Sequence, residues 1–492
     1  MNEREIVWKT FGQTVIHPVA FGFTVAMGIA LLLLRRQRAA VPLVLVASFL
    51  PVEQRIVVGG LDFDMIRLMI LFGWTRLLLR GEAKDLRPLG RVDWIFIAWM
   101  ASGSLFYVLR ELDLSAVIYR CGVMFDAFGM FFLFRALVRD EQDVRRVAAA
   151  LAWMCVVTGG FMTVEKLTGR NFFSVLGGVE PFSIVRDGMI RAQGSFSHPI
   201  MAGTFGATTL PLIIGLAWDR KAYVTVGAGV AGAVLVTLAA SSSGAVMALM
   251  VAIVGLALWP FREQMRSIRW GIVVVLLILH NIREKPVWHL IGRLSDLMGG
   301  DGYHRVALID GFLGHWSSWI LRGTDSTAEW GWGLQDLTNQ FVYEGVQGGL
   351  VTLIIFIALL VYAFANVAIG MRRARRRRGI SRDVRTRGEF FAWCLGCSLA
   401  AHLMVWISVS YFGQMTVLLY ALFAMIASLS SPAFFPQAVP VPARALPAPP
   451  ATPIETAATE SRPSPALAAP PEPEPPDPST PSLGKGLLQR GS

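Results

Sequence analysis

Long apolar runs recur along this chain from about Val15 to about Leu429, each near or slightly below the length that crosses a bilayer as a helix. Only 16% of the 492 residues are charged and 54% are hydrophobic. A soluble domain carries roughly a quarter charged residues, so the composition argues against a water-soluble globular enzyme. The chain reads as an all-α, polytopic integral membrane protein.

Six basic clusters punctuate the apolar runs: Arg35–Arg38, Arg76–Arg91, Arg135–Arg146, Asp219–Lys221, Arg262–Arg269 and Arg372–Arg387. The net charge of +11 therefore sits in short loops, where orientation signals belong, and implies no nucleic-acid partner. Between successive clusters there is room for two crossings. If all six clusters are cytoplasmic, each pair of crossings is a hairpin whose tip faces the other side. The expected crossings are 15–34, 39–53, 63–79, 93–109, 115–137, 147–164, 198–217, 222–240, 244–260, 270–281, 348–370, 389–407 and 412–430. Two of them, 39–53 and 270–281, are short, which sets the count at 12 or 13 and leaves the side of the N-terminus open. The opening Met1-Asn-Glu-Arg-Glu lacks a basic start and a small-residue cleavage site, so no removable signal peptide is expected.

Three regions follow: a transmembrane domain over 1–430, a large polar loop within it over 281–347, and a tail over 431–492. Seventeen of the 26 prolines fall between Pro432 and Pro481, a composition that cannot bury a core, so the tail is expected to be disordered. In the large loop, Val306, Ile309, Leu313, Trp316 and Ile320 recur at helical steps, which predicts an amphipathic helix on the membrane surface. Five of the 15 tryptophans (Trp288, Trp316, Trp319, Trp330, Trp332) lie in the same loop, as interfacial anchors or as a platform for a sugar ring.

No metal, Walker or dinucleotide signature occurs, so neither a metal nor a cofactor is expected. Cys394-Leu-Gly-Cys397 has CxxC spacing but no second pair and no polar context. The informative residues are cations. Arg55, Arg110, Arg170, Arg186, Arg191, Arg283, Arg293, Arg305 and Arg322 all fall in or beside the tips opposite the basic clusters, an unusual load for the Arg-poor side. Any one of them can pair with a loop acid such as Glu180, Asp187, Asp296 or Asp325; the cluster as a whole points to an anion, and guanidinium forks suit phosphate or pyrophosphate. Two segments sharpen this. Arg191-Ala-Gln-Gly-Ser-Phe-Ser-His-Pro199 leads directly into a crossing, which places Arg191 beside a helix N-terminus. In the second, Asp336, Asn339 and Tyr343 recur at three- and four-residue steps, so in a helix they share a face able to orient a sugar hydroxyl and accept its proton. A capped, glycine-packed helix start explains the second segment equally well.

At these segments the sequence resembles the O-antigen ligase and O-antigen polymerase superfamily of bacterial envelope glycosyltransferases. The resemblance rests on Arg191, Gly194, Pro199 and Gly203, on Ser241-Ser-Ser-Gly-Ala245, on Arg305, on Gly331 and Gly333, and on Asp336, Asn339, Glu344, Gly345 and Gly348. It covers roughly residues 40–430 and implies a membrane-type (GT-C-like) glycosyltransferase fold in the bacterial inner membrane, with a periplasmic active face and one large periplasmic loop. The implied donor is an undecaprenyl-pyrophosphate-linked oligosaccharide, used without nucleotide sugars and, in the ligases, without a metal. By position Arg191 and Arg305 become pyrophosphate contacts, Asp336 and Asn339 acceptor-side residues, and Asp336 or Glu344 the base. The chain departs from the family at Thr338, where ligases commonly have His, and at Ser243, where they often have Arg. These departures favour a polymerase of exopolysaccharide or O-antigen repeat units over a ligase acting on lipid A core. Membrane lipid and other polysaccharide-export proteins are the remaining candidate partners. Readings from other classes are a transporter or flippase for a lipid-linked glycan and a non-catalytic scaffold recruiting partners through the tail. The one-sided polar load and the absence of matching inverted halves argue against the transporter, and the Arg cluster against the scaffold.

Overall fold

The computed structural model describes residues 14–86, 88–297, 302–377 and 379–435; the opening segment and the tail from 436 onward lie outside them. Each expected crossing coincides with one helix. These are α1 (Pro18–Leu33), α2 (Arg36–Phe49), α3 (Met65–Leu79), α4 (Arg91–Glu111), α5 (Leu114–Leu137), α6 (Glu141–Thr168), α7 (Pro199–Ile214), α8 (Tyr223–Ala239), α9 (Ser243–Ala257) and α10 (Met265–Ile282). The large loop contributes α11 (His289–Leu297) and α12 (Gly302–Gly314), and the chain continues through α13 (Gln340–Arg375), α14 (Arg382–Trp406) and α15 (Gln414–Ser428). Six helices, α4, α5, α6, α10, α13 and α14, are long and apolar enough to cross a membrane; α1, α7, α8, α9 and α15 are shorter apolar helices. The chain is a multi-pass helical membrane protein. Its named strands, among the described residues, are two antiparallel hairpins, β1 (Arg55–Val58) with β2 (Leu61–Asp64) and β3 (Ile184–Arg186) with β4 (Met189–Arg191).

The expected short crossing at 270–281 is a full 18-residue helix, α10, because Arg266 and Arg269 belong to its first turns and not to the loop before it. By contrast α2 remains short at 14 residues, with Arg36 folded into its start and bonded to the Leu137 carbonyl and the Asp143 carboxylate.

Successive bundle helices alternate in direction, and cross-links at the two ends show it. At the end carrying the basic clusters, buried Arg76 grips Glu82 through Nε and Nη2 (2.8 and 2.9 Å) and donates to the carbonyls of Leu31 (2.6 Å) in α1 and of Leu34 (2.7 Å) just beyond it. Arg135 forks onto Asp93 (2.8 and 3.0 Å), and the Glu141 amide reaches the Phe434 carbonyl. These arginines therefore tie helix ends together. At the other end Gln54 accepts from the His17 amide and donates to Leu176 O, while Gln414 donates to Leu50 O and Ser195 O. The hairpins and the large loop lie at this second end.

Nearly every residue of α7 is buried, so it forms the centre of the bundle. Small residues let its neighbours approach. A Cβ on Gly206 would sit 2.4 Å from Ala233 O of α8, and one on Gly232 would sit 2.6 Å from the Cys155 backbone of α6. Gly232→Val is expected to cost about 1–3 kcal/mol or more through overpacking, read as a lower unfolding midpoint in detergent; an unchanged midpoint would show that α6 and α8 are free to separate.

Two features of the large loop differ from expectation. The helix over 302–314 ends at Gly314, and a separate turn, Trp316–Trp319, follows. Its inward side is Arg305, Leu308 and Phe312, joined by Trp319, Trp330, Leu334, Val342 and Val346 in a small core. The expected stripe runs one step off this face, leaving Leu313 and Trp316 exposed. Trp319 and Trp330 are thus core residues, stacked on Phe312 and on His315 respectively. Trp332 is fully exposed. The second difference lies in α13, which begins eight residues before the expected 348 and breaks at Gly348–Gly349. Gly349 has φ +68°, and a Cβ there would meet Leu321 O at 2.7 Å. The break turns Val346 O outward, where Arg110 Nη1 and the Thr324 amide (both 3.0 Å) donate to it.

Candidate anion site and adjoining chamber

The β3–β4 hairpin delivers Arg191, and the turn after it is pinned from several sides. The Glu165 carboxylate accepts from the amides of Gln193 (3.0 Å) and Gly194 (2.8 Å), and Asn171 donates to Gly194 O (2.8 Å). His198 then caps α7 by accepting from the Ile200 amide (3.2 Å), with Pro199 as the first helical residue. Gly203 brings α7 against the serine turn, since a Cβ there would lie 2.7 Å from the Ala245 Cβ of α9. That turn is itself unusual: Ser241 has φ +44°, and its hydroxyl takes a hydrogen bond from Lys166 Nζ. From the large loop comes Arg305, buried, donating to Ser243 Oγ (3.0 Å) and Ser295 Oγ (2.6 Å).

These elements enclose a cavity of about 510 Å³ lined by Arg186, Arg191, His198, the serines 241–243, His304, Arg305, Asp336, Thr338, Ser408 and Phe412. The N-termini of α7 and α9 both open onto it, adding two positive helix-dipole ends to three guanidinium groups. Burial, and secondarily the charge of the exposed Arg186, lowers the pKa of Arg191, so Arg191 is a desolvated cation beside a second positive charge. Burial and Arg191 push the His198 imidazole down to about 4; it is therefore neutral near pH 7 and free to act as the cap acceptor. Three buried polar atoms on the wall, Arg191 Nε, Thr338 Oγ1 and Ser408 Oγ, have no hydrogen-bond partner. Buried donors are costly unless satisfied, and a polyanionic ligand would satisfy the donors and the charge together.

Of the residues expected from the sequence, Arg191, Arg305 and Asp336 meet in this cavity. Asn339 and Glu344 do not line it. Asp336 lies in the turn before α13, so it shares no helical face with Asn339 and Tyr343; the helix starts only at Gln340. Asn339 is the N-cap of α13, its side-chain oxygen accepting from the amides of Phe341 (2.9 Å) and Val342 (3.2 Å). The spacing is that of a cap preceded by a turn, which a helical reading of the same residues cannot distinguish.

Glu344 and Tyr343 instead line a second chamber of about 340 Å³ between α4, α5, α13 and α15. The Glu344 carboxylate accepts from Trp99 Nε1 (2.8 Å) and Gln340 Nε2 (2.7 Å), and Gln340 Oε1 takes the Tyr411 amide (2.8 Å). Arg120 donates to Gly103 O (2.8 Å) and lies 4.5 Å over the Tyr107 ring; its Nε and the Ser104 hydroxyl have no partner. Opposite, Arg67 forks onto Asp126 (2.9 and 2.8 Å). Carboxylates, amides and aromatic rings in one pocket suit a hydroxylated ligand. Phe412 lines both cavities, so the two spaces are neighbours. This chamber was missed from sequence, although Arg120 and Asp126 within an apolar crossing are the signal that marks intramembrane function.

Among the described residues, no three His, Cys, Asp or Glu side chains converge as a metal-binding group. The cavity's own donor set of guanidinium, hydroxyl and helix amides is one for an anion. No protein-family model matches the chain, and no curated protein sequence matches it. Fold and site together define the class: a multi-pass helical membrane protein with a cationic cavity beside a carboxylate- and aromatic-lined chamber.

Proposed function

We propose that this protein is a bacterial inner-membrane glycosyltransferase of the O-antigen ligase and polymerase type, with a membrane-type (GT-C-like) fold and a periplasmic active face. It polymerises exopolysaccharide or O-antigen repeat units from an undecaprenyl-pyrophosphate-linked donor. The observation that carries this is the convergence of Arg186, Arg191 and Arg305 with two helix N-termini on one cavity, where a pyrophosphate pairs with cations that otherwise repel each other.

In the reaction an acceptor hydroxyl attacks the anomeric carbon of the donor sugar, and the bond from that carbon to the pyrophosphate oxygen breaks. Undecaprenyl pyrophosphate leaves with the electron pair. Arg191 and Arg305 stabilise the charge growing on the leaving oxygen, the kind of preorganised electrostatic effect that dominates many enzymes. The hydroxyl proton passes to Asp336, the carboxylate that shares the cavity with the arginines. The acceptor glycan lies in the adjoining chamber, held by Glu344 and the Tyr and Gln side chains around it.

The test is purified protein in nanodiscs supplied only with an undecaprenyl-pyrophosphate-linked repeat unit, with products followed by mass. Longer lipid-linked chains together with free undecaprenyl pyrophosphate are expected. Elongation only after addition of a lipid A core acceptor would replace polymerase by ligase, and silence with both would move the reading to transport. Asp336→Asn is expected to lower turnover by about 10²-fold or more, the usual weight of a general base, with little change in donor binding; a variant with normal turnover would pass the base role to another group.

A further inference from the structure

At the end of the bundle opposite the anion cavity, α9, α10, α13 and α14 enclose a groove of about 510 Å³. The same helices link the two places: α9 begins at the serine turn and ends at Leu258 in the groove, and α14 runs from the groove at Trp393 to the cavity near Ser408. Its floor is a tight α9–α14 contact, where Trp393 Nε1 donates to Gly255 O (3.0 Å) and a Cβ on Gly255 would lie 3.1 Å from Cys397 Sγ. Its walls are two-part. Phe364, Val367, Met371 and Trp393 make an apolar side, and Arg262, Arg266, Arg269, Arg372 and Arg375 make a cationic rim with Glu263 as the one carboxylate.

The rim is only partly neutralised from within. Arg262 and Arg375 pair with Glu389, and Arg375 also reaches Glu263 (3.1 Å). Arg266, Arg269 and Arg372 form no ion pair among the described residues. The fourth wall is open. No residue of α10 is buried, and Trp270, Val274 and Leu277 are exposed along a helix apolar and long enough to cross the membrane. A helix exposed on all sides at membrane depth is surrounded by acyl chains, so the groove beside it opens directly into the bilayer.

We propose that this groove is a binding site for an anionic phospholipid, its phosphate held by Arg266, Arg269 and Arg372 and its acyl chains lying along Phe364, Val367, Met371 and Trp393. Charge complementarity selects the occupant. Orientation signalling alone requires basic residues in a loop, whereas here they rim a concave apolar wall at the end of the bundle that carries the basic clusters. The lipid wedges α10 against α13 and α14, filling a gap along which α10 buries none of its own residues.

The full-length protein in detergent is titrated with dioleoyl phosphatidylglycerol or dioleoyl phosphatidylethanolamine, and bound lipid is counted by native mass spectrometry. One phosphatidylglycerol is expected to be retained in preference to phosphatidylethanolamine. The triple variant Arg266→Gln, Arg269→Gln, Arg372→Gln is expected to weaken retention by about tenfold or more. A charge-matched triple variant at exposed positions of the same end, Arg35→Gln, Arg38→Gln, Arg382→Gln, is expected to bind as the parent does. Equal retention of the two lipids, or equal loss in both triple variants, would overturn the proposal by reducing it to diffuse charge. Ala368→Trp, which fills the groove without altering charge, covers the case in which the first triple variant fails to fold: retention as in the parent would likewise overturn the site.

Discussion

Arg191→Ala and Arg305→Ala are each expected to abolish detectable polymer formation while leaving the amount of protein in the membrane unchanged. Removal of one preorganised donor at a developing oxyanion costs on the order of 10²–10³-fold in turnover, and here each side chain also supplies part of the ground-state attraction for the donor. The two variants differ in side effects. Arg191 ends a hairpin, and its Nε has no protein partner, so its loss disturbs little of the fold. Arg305 links Ser243 of α9 to Ser295 of α11, so its alanine variant also loosens the large loop. Lysine separates the roles: Arg191→Lys keeps the charge but not the fork, and is expected to recover a small part of the activity. In vitro elongation with membrane abundance as the control decides the matter. Normal polymer from both alanine variants would remove the pyrophosphate assignment.

The largest effect on stability is expected at Asp93 and Arg135. Both are buried, the guanidinium forks onto the carboxylate through Nε and Nη2, and Nη1 reaches Ser428 Oγ (3.3 Å), so α4, α5 and α15 meet at this pair. Removing one partner leaves a buried charge uncompensated, at about 3–5 kcal/mol, whereas replacing both by apolar residues is often close to neutral. Asp93→Leu or Arg135→Leu alone should therefore unfold or fail to accumulate, and the double variant should recover most of the thermal stability in detergent. If the double variant were as unstable as the singles, the pair would matter through its hydrogen bonds to Gly90 and Ser428 and not through its charges.

Helix positions were legible because each depends on a local composition: an apolar run of sufficient length becomes a helix wherever it lies. The clusters between the runs were equally legible as a set that belongs at one end. What local composition could not convey was partnership. Arg76 and Arg135 read as loop charges, yet they are buried and tie helices separated by many residues. Asp336, Asn339 and Tyr343 read as one helical face, yet a cap at Asn339 moves the helix start past Asp336 and sends these side chains to different places. Arg120 and Glu344 share a chamber although more than two hundred positions separate them, and no periodicity can announce that.

By itself, then, the sequence determined the class of protein, the helices and the cationic character of the end that bears the long loops, because hydrophobic length and charge are additive along a chain. Which arginines meet, which carboxylate faces them and which lies next door behind Phe412, and that the opposite end holds a groove open to lipid, were decided only by tertiary packing, because a cavity is made by the residues that fail to touch, and that depends on every helix around it.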